Sequence, residues 1–132
     1  MQWNFELIVK PSEPPLTEGP VWDGEFLYFT HIRASRIMRY DPKTGAVFVA
    51  REGTNRTNGL AHDQQGRLFG CCSGGRSVVR FDDDKIVTLC DNFEGKRLNT
   101  PNDLAIDRKG RIWFTNPVNS GNWDKDSKME ID

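Results

Sequence analysis

Three side chains with ligand-type oxygens recur at one position of an internal repeat: Glu18, Asn58 and Asn102, spaced by 40 and 44 residues. Each precedes an apolar run that ends in an aspartate and continues through a glycine into a second apolar run. Carboxylate and amide oxygens suit a hard cation such as calcium, whereas zinc prefers histidine and cysteine, which this set lacks. The same residues could instead cap strand ends and turns. Spacing alone leaves both interpretations open.

The length of the repeat predicts the elements that position these residues. Units of about 40 to 45 residues with several short strands are typical of β-propeller blades. The inner strands of the blades converge on a central channel, so side chains at their starts can meet at one ligand. We therefore expect an all-β fold built from four-stranded blades, with the three residues around one mouth of the channel.

Apolar alternation and turn residues predict the individual strands. In the first unit the predicted strands cover residues 20–23, 26–30, 36–40 and 46–51. In the second unit they cover residues 59–63, 67–72, 77–82 and 86–91. The third unit begins with strands at 104–107 and 111–115, then becomes polar and rich in turn residues before a last strand-like start at 129–132.

The chain is too short for a whole propeller, so we expect one incomplete propeller domain. Residues 1–17 form its N-terminal strand and proline-rich lead, because apolar and polar residues alternate from Trp3 to Val9. The following segments are a blade at 18–57, a second blade at 58–101 and a partial blade at 102–132.

Composition excludes several classes of partner. The formal net charge of -1 over 132 residues gives no field that favours nucleic acid or an anionic membrane. No apolar stretch approaches the roughly 20 residues of a membrane span, and the N-terminus lacks the pattern of a secretory signal. Three cysteines without a disulfide spacing fit a reducing compartment. We therefore expect a cytoplasmic protein.

Other residues with reactive side chains favour structural roles. Cys71 and Cys72 are adjacent in a strand, so their side chains point to opposite faces and pack rather than form a redox pair. His31 and His62 lack partners at a metal-ligand spacing. The acidic run at 82–84 is interpreted as a solvated hairpin turn, with a peripheral cation contact as the alternative.

Four segments resemble, in matching order, the gluconolactonase and regucalcin (senescence marker protein) family. They are Glu-Gly-Pro-Val-Trp-Asp at 18–23, Asn-Gly-Leu-Ala at 58–61, Gly-Lys-Arg-Leu-Asn-Thr-Pro-Asn-Asp at 95–103 and Ile-Trp-Phe-Thr-Asn-Pro at 112–117. The resemblance runs from about residue 5 to the end and covers the N-terminal part of the family. It implies a six-bladed propeller, of which this chain holds about two and a half blades.

The resemblance also implies a chemistry. The family binds a divalent cation at the channel mouth, commonly calcium, with zinc, magnesium or manganese as alternatives, and hydrolyses sugar lactones such as gluconolactone. Glu18 resembles its first metal ligand, and Asn102 resembles a second ligand or a contact to substrate or metal-bound water. The residues that the resemblance places near the sugar are Asn58, Arg97, Asn99, Thr100 and Asn102.

The sequence departs from the family pattern in ways that bear on activity. It has Cys-Cys-Ser-Gly at 71–74 where many relatives have Cys-Glu-His-Gly, and Asn116 where they have aspartate. The later asparagine and aspartate that complete the family's metal site, the aspartate being its general base, have no counterpart here. We therefore expect the N-terminal portion of a sugar-lactone hydrolase, inactive as the isolated chain. A non-enzymatic binding module or a truncated gene product is the alternative.

Two further expectations concern partners and chemistry. Unpaired strand edges predict self-association or aggregation. The same fold also hosts lactonases for other esters and condensing enzymes such as strictosidine synthase, so the fold alone leaves the reaction open. The Asn-x-Pro-Asn-Asp motif at 99–103 favours the sugar-lactone branch.

Overall fold

The computed structural model describes residues 2–11, 13–118 and 129–131. These residues form twelve β-strands and no helix, so the expected all-β class is confirmed. Among them no helix is long and apolar enough to cross a membrane. The polar part of the predicted partial blade at 119–128, and Asp132 at the end of the last strand-like start, lie outside the described residues.

Two four-stranded antiparallel sheets form the first two blades, and each follows chain order. The first contains β1 (Thr17–Trp22), β2 (Leu27–His31), β3 (Arg36–Tyr40) and β4 (Val47–Glu52). The second contains β5 (Thr57–His62), β6 (Leu68–Cys72), β7 (Ser77–Phe81) and β8 (Ile86–Cys90). All eight predicted strands are present, with bounds shifted by up to three residues.

The third unit begins with one antiparallel pair, as predicted. Its strands are β11 (Leu104–Ile106) and β12 (Ile112–Phe114). A two-stranded hairpin precedes it, formed by β9 (Asn92–Phe93) and β10 (Lys96–Arg97). The sequence did not predict this hairpin, because strands of two residues are too short to show an alternating pattern.

The aspartate that ends each repeat copy closes the hairpin after the inner strand. One carboxylate oxygen of Asp23 accepts the backbone N–H groups of the residues two and three positions on, at 2.7 and 2.6 Å. Asp63 and Asp107 accept the backbone N–H groups two and four positions on, at 3.0 and 2.9 Å for Asp63 and at 2.8 and 3.0 Å for Asp107. These aspartates are therefore turn residues, which explains their recurrence without any ligand.

The hydrophobic core lies between the blades. One buried cluster joins Ile37 of the first sheet to Leu60, Cys72, Val79 and Phe81 of the second. A second cluster joins Phe69, Cys71 and Val78 to Leu104 of the third unit. Cys71 and Cys72 therefore face opposite junctions and are both buried, which confirms the packing interpretation.

The strand predicted within residues 3–9 is not formed. Trp3, Phe5 and Leu7 are 73%, 92% and 76% exposed, so the alternating pattern has no sheet to bury it. A half-buried strand needs a neighbour for its backbone and its apolar face, and none of the described strands pairs with this segment. Ile8 and Val9 instead line a cleft beside the open face of the first sheet.

Candidate functional site

The three repeat positions lie side by side at the ends of neighbouring inner strands. The Thr30 hydroxyl is 3.0 Å from the backbone carbonyl oxygen of Glu18 and 3.0 Å from that of Asn58. The backbone N–H of Gly59 donates to the carbonyl oxygen of Asn102 at 2.8 Å. The first inner strand thus adjoins the second, and the second adjoins the third, at the residues that the repeat singled out.

Glycines allow this close approach. A β-carbon on Gly19 would overlap the carbonyl oxygen of Asn58, and Gly19 also has a φ of +57°. A β-carbon on Gly59 would lie 2.7 Å from the α-carbon of Asp103 and 2.9 Å from the carbonyl oxygen of Asn102. Any side chain at these positions would push the inner strands apart, because both obstacles are backbone atoms.

The side chains of Glu18, Asn58 and Asn102 are open to a ligand. Glu18 and Asn102 are exposed and Asn58 is partly buried. Within the described residues, no hydrogen bond or ion pair occupies the Glu18 carboxylate or the two side-chain amides. One carboxylate and two amide groups are therefore available at adjoining strand ends. We call these three residues the ring residues.

The donor set fits a hard cation in kind. Calcium accepts carboxylate, amide and water oxygens in flexible geometry, and the ring residues supply the first two of these. Among the described residues no group of three or more histidine, cysteine, aspartate or glutamate side chains could hold a metal, so a site of zinc type is not formed there. Calcium held here would need further oxygen ligands, because it takes six to eight.

Asp103 adds a carboxylate that the sequence reasoning did not single out. It is exposed and lies next to Gly59, and one of its oxygens accepts the backbone N–H of Leu104 at 2.9 Å. The available signal was its place in the repeat, since the first two copies have glycine where the third has Asp103. A second carboxylate therefore lies beside Asn102 and favours cations at these strand ends.

Burial, followed by the nearby charge of Asp103, raises the pKa of the Cys71 thiol to about 12. Cys71 is fully buried and packs between the second sheet and the third unit. A thiol with this pKa stays protonated at neutral pH, and it is neither a nucleophile nor a soft-metal ligand in that form.

The predicted sugar-contact residues Asn99 and Thr100 are buried, and their side chains bind backbone. The Asn99 side-chain amide donates to the carbonyl oxygen of Ile131 at 3.0 Å, and the Thr100 hydroxyl donates to that of Pro117 at 2.6 Å. These bonds fix the loop that leads to Asn102. The Asn99 side-chain oxygen is buried and accepts no hydrogen bond within the described part of the chain.

Arg97, the remaining predicted sugar contact, lies on the surface in β10. Its backbone N–H donates to a carboxylate oxygen of Glu130 at 2.9 Å. The structure therefore joins Glu18, Asn58 and Asn102 directly and connects Arg97, Asn99 and Thr100 to them only along the chain. Their roles as substrate contacts stay predictions.

The two histidines belong to the packing around the strands. Burial, together with the nearby Arg36 charge, lowers the pKa of His31, so the ring is neutral at pH 7. The His62 ring lies edge-on to Tyr28 with centroids 5.5 Å apart, and its Nδ1 contacts the Gly66 carbonyl oxygen at 3.2 Å. Both observations agree with the structural roles expected from the sequence.

A cleft of about 490 Å³ borders Glu18 on the open face of the first sheet. Most of its wall is apolar, from residues including Ile8, Leu27 and Phe29. A sugar lactone presents many hydroxyl groups, and each would need a polar partner on binding. We therefore place the candidate site at the ring residues rather than in this cleft.

Comparison with known proteins identifies the family of the chain. The family model described as "SMP-30/Gluconolactonase/LRE-like region" matches residues 16–129. The chain is 30% identical over 122 residues to a gluconolactonase of Zymomonas mobilis, covering 80% of this chain and 34% of that protein. It is 32% identical over 103 residues to a pentonolactonase of Haloferax volcanii, covering 74% of this chain and 33% of that protein.

A solved gluconolactonase structure from Xanthomonas campestris superimposes with a TM-score of 0.72 at 39% identity, covering 76% of this chain and 35% of that one. The chain thus spans about a third of the length of the relatives that it matches. The two four-stranded sheets are blades of the propeller that these relatives share, and the third strand pair is part of another blade. With the family model matched over most of the sequence, the chain belongs to the SMP-30/gluconolactonase/LRE-like family.

Proposed function

We propose that this chain is the N-terminal portion of a metal-dependent sugar-lactone hydrolase. The observation that carries the proposal is the meeting of the ring residues at adjoining inner-strand ends, with side-chain oxygens that accept no hydrogen bond from the described part of the chain. Family membership supports it, because the matched relatives include a gluconolactonase and a pentonolactonase. A sugar lactone with a five- or six-carbon skeleton is the substrate class that follows.

In this proposal Glu18 and Asn102 hold a divalent cation, with calcium favoured. Such an ion supplies Lewis-acid polarisation of a lactone carbonyl when it is bound. Glu18 contributes the charge, and the amides of Asn58 and Asn102 orient the substrate or water by hydrogen bonds. Arg97, on the surface in β10, offers guanidinium donors to sugar hydroxyl groups. Asn99 and Thr100 act by fixing the loop before Asn102.

We further propose that the isolated chain hydrolyses lactones negligibly. It spans a third of its relatives, the Glu18 carboxylate is assigned to the cation, Asp103 accepts the backbone N–H of Leu104, and neither amide of the ring can accept a proton from an attacking water. The base and the remaining ligands would come from the rest of a propeller. In assays of gluconolactone opening by the purified chain with calcium, we expect the uncatalysed rate. Calcium-dependent turnover that Glu18→Gln abolishes would contradict this point.

The metal site itself is tested by calorimetric titration of the chain with calcium chloride. With few charged ligands, we expect a dissociation constant of about 10⁻⁴ to 10⁻³ M. Glu18→Gln should abolish the heat of binding. Glu25→Gln is the matched control, since Glu25 is an exposed glutamate that pairs with Lys43 at 3.0 Å away from the ring. Equal binding by the wild type and Glu18→Gln would reject Glu18 as a ligand.

The second candidate function is a non-enzymatic interaction module. Exposed apolar side chains on the N-terminal segment, Trp3, Phe5 and Leu7, favour it because they offer an unpaired, strand-like ligand. Size-exclusion chromatography with light scattering tests this second candidate function. Self-association that Phe5→Ser weakens supports the module, whereas a monomer at all concentrations argues against it.

A further inference from the structure

The Thr30 hydroxyl joins the backbones of two ring residues. Thr30 lies in β2 and is fully buried. Its Oγ1 is 3.0 Å from the carbonyl oxygen of Glu18 in the same sheet and 3.0 Å from that of Asn58 in the next sheet. A hydroxyl carries one proton, so the two carbonyl groups share a single donor.

Both carbonyl groups belong to irregular stretches of their strands. The pairing of β1 with β2 shifts register between Glu18 and Val21, and that of β5 with β6 shifts between Thr57 and Leu60. Such bulges interrupt the ladder hydrogen bonds and leave backbone groups without their usual partner. A side-chain donor at this point therefore sets the distance between the two strand ends.

We propose that Thr30 is the positioning residue of the cation site: its hydroxyl sets the separation between Glu18 and Asn58, and the hydrogen bond from Gly59 N–H extends this to Asn102. Thr30 acts through the two backbones and touches neither cation nor substrate. The inference rests on the proposed function for the identity of the ligand. We call the two contacts of the Thr30 hydroxyl with the strand ends the clamp, and it depends on Thr30 alone.

The other repeat copies show that the hydroxyl is specific to this junction. Thr30, Cys71 and Thr115 occupy equivalent positions in their units. Each follows, by three residues, the residue of the second strand that pairs with the last residue of the inner strand. Cys71 carries a thiol, which is a weak hydrogen-bond donor. The Thr115 hydroxyl contacts only Asp103 of its own unit within the described residues, at 3.1 and 3.4 Å.

The test compares Thr30→Val, which keeps the shape and removes the hydroxyl, with Thr30→Ser, which restores the hydroxyl. Calcium chloride is titrated into the ¹⁵N,¹³C-labelled full chain, and the signals of Gly19 and Gly59 are followed by NMR. We expect Thr30→Val to raise the apparent dissociation constant about fivefold to tenfold, and Thr30→Ser to stay within about twofold of the wild type. Equal affinities in all three proteins, or equal losses in both variants, overturn the proposal.

Carbonyl chemical shifts separate this proposal from the proposed function. The ¹³C′ signals of Glu18 and Asn58 should move together in Thr30→Val and return in Thr30→Ser, with no metal present. If the wild type binds no calcium, the proposed function fails while these shifts still decide the clamp. In the wild type, the Thr30 hydroxyl proton should exchange slowly with water. A rapidly exchanging hydroxyl overturns the clamp even if Thr30→Val does not fold.

Discussion

The two junctions between inner strands hold equivalent residues together by different means. At the first junction, a side-chain hydroxyl from Thr30 spans the carbonyl oxygens of Glu18 and Asn58. At the second, backbone bonds directly to backbone, from Gly59 N–H to the carbonyl oxygen of Asn102. The repeat thus conserves the place where strands meet and varies the bond that joins them.

Close approach is the feature that the junctions share. Each has a glycine that the next inner strand contacts with backbone atoms, Gly19 at the first and Gly59 at the second. Gly19 has the additional demand of a positive φ. The separation of the inner strands therefore depends on the absence of a side chain at Gly19 and at Gly59, and Gly19 is the more constrained of the two.

The largest effect should come from Gly19→Ala. The new methyl group overlaps the Asn58 carbonyl oxygen, and the φ of +57° adds about 1–2 kcal/mol of strain, so we expect a loss of about 4 kcal/mol in the free energy of unfolding. Urea unfolding followed by tryptophan fluorescence measures it. Gly45→Ala is the control, because Gly45 has a φ of +73° in open space and should lose only the strain. Equal losses in the two variants would show that the junction tolerates the methyl group.

Gly59→Ala should have the next largest effect. Its methyl group would lie 2.7 Å from the Asp103 α-carbon, but Gly59 has no positive φ to add strain. We expect a loss of about 2–3 kcal/mol, measured by the same unfolding experiment. The ¹³C′ signal of Asn102 should also shift, because the hydrogen bond from the Gly59 N–H to the Asn102 carbonyl oxygen lengthens. A loss greater than that of Gly19→Ala would reverse the ranking of the two junctions.

Thiol reactivity should distinguish the buried cysteines from Cys90. A pKa of about 12 in place of 9.0 reduces the thiolate fraction of Cys71 at pH 8 by about a thousandfold. Burial, opposed only in part by hydrogen bonds from Gly75, Ser77 and Thr57, also raises the pKa of Cys72. Native labelling with a disulfide reagent and peptide mapping should modify Cys90 first, and Cys90→Ser should remove the fast phase. Early modification of Cys71 would mean that the second junction opens readily.

The smallest effect concerns acid and the turn at the far end of the third inner strand. Backbone and side-chain hydrogen bonds from Arg111 are the main causes that lower the pKa of Asp107. Its stabilising contribution is therefore complete above the unfolded pKa of about 3.9 and is lost as the pH falls through the lower folded value. Urea midpoints between pH 5 and pH 2 should fall less in Asp107→Asn than in the wild type. Asp84→Asn, in an exposed hairpin turn, should follow the wild type.

The sequence predicted the features that local patterns encode. Alternation and turn residues located all eight strands of the two complete sheets, and the repeat placed Glu18, Asn58 and Asn102 at neighbouring strand ends. The bridging role of Thr30 was not predictable, because it spans residues 28 positions apart and depends on two bulges. The side-chain hydrogen bonds of Asn99 and Thr100 were not predictable either, because their acceptors are the backbone carbonyl oxygens of Ile131 and Pro117, far along the chain. The segment at 3–9 has the pattern of a strand but lacks a partner, which its own sequence does not reveal.

The placement of the core between sheets has a consequence for folding. Neither four-stranded sheet has an apolar interior of its own, because Ile37 and Phe69 are buried against neighbouring sheets rather than within one. Stability is then a sum of nearest-neighbour couplings, as in a linear array of repeats. The second blade takes part in both couplings and should exchange its amide hydrogens most slowly. The first sheet and the third strand pair should open before the second sheet.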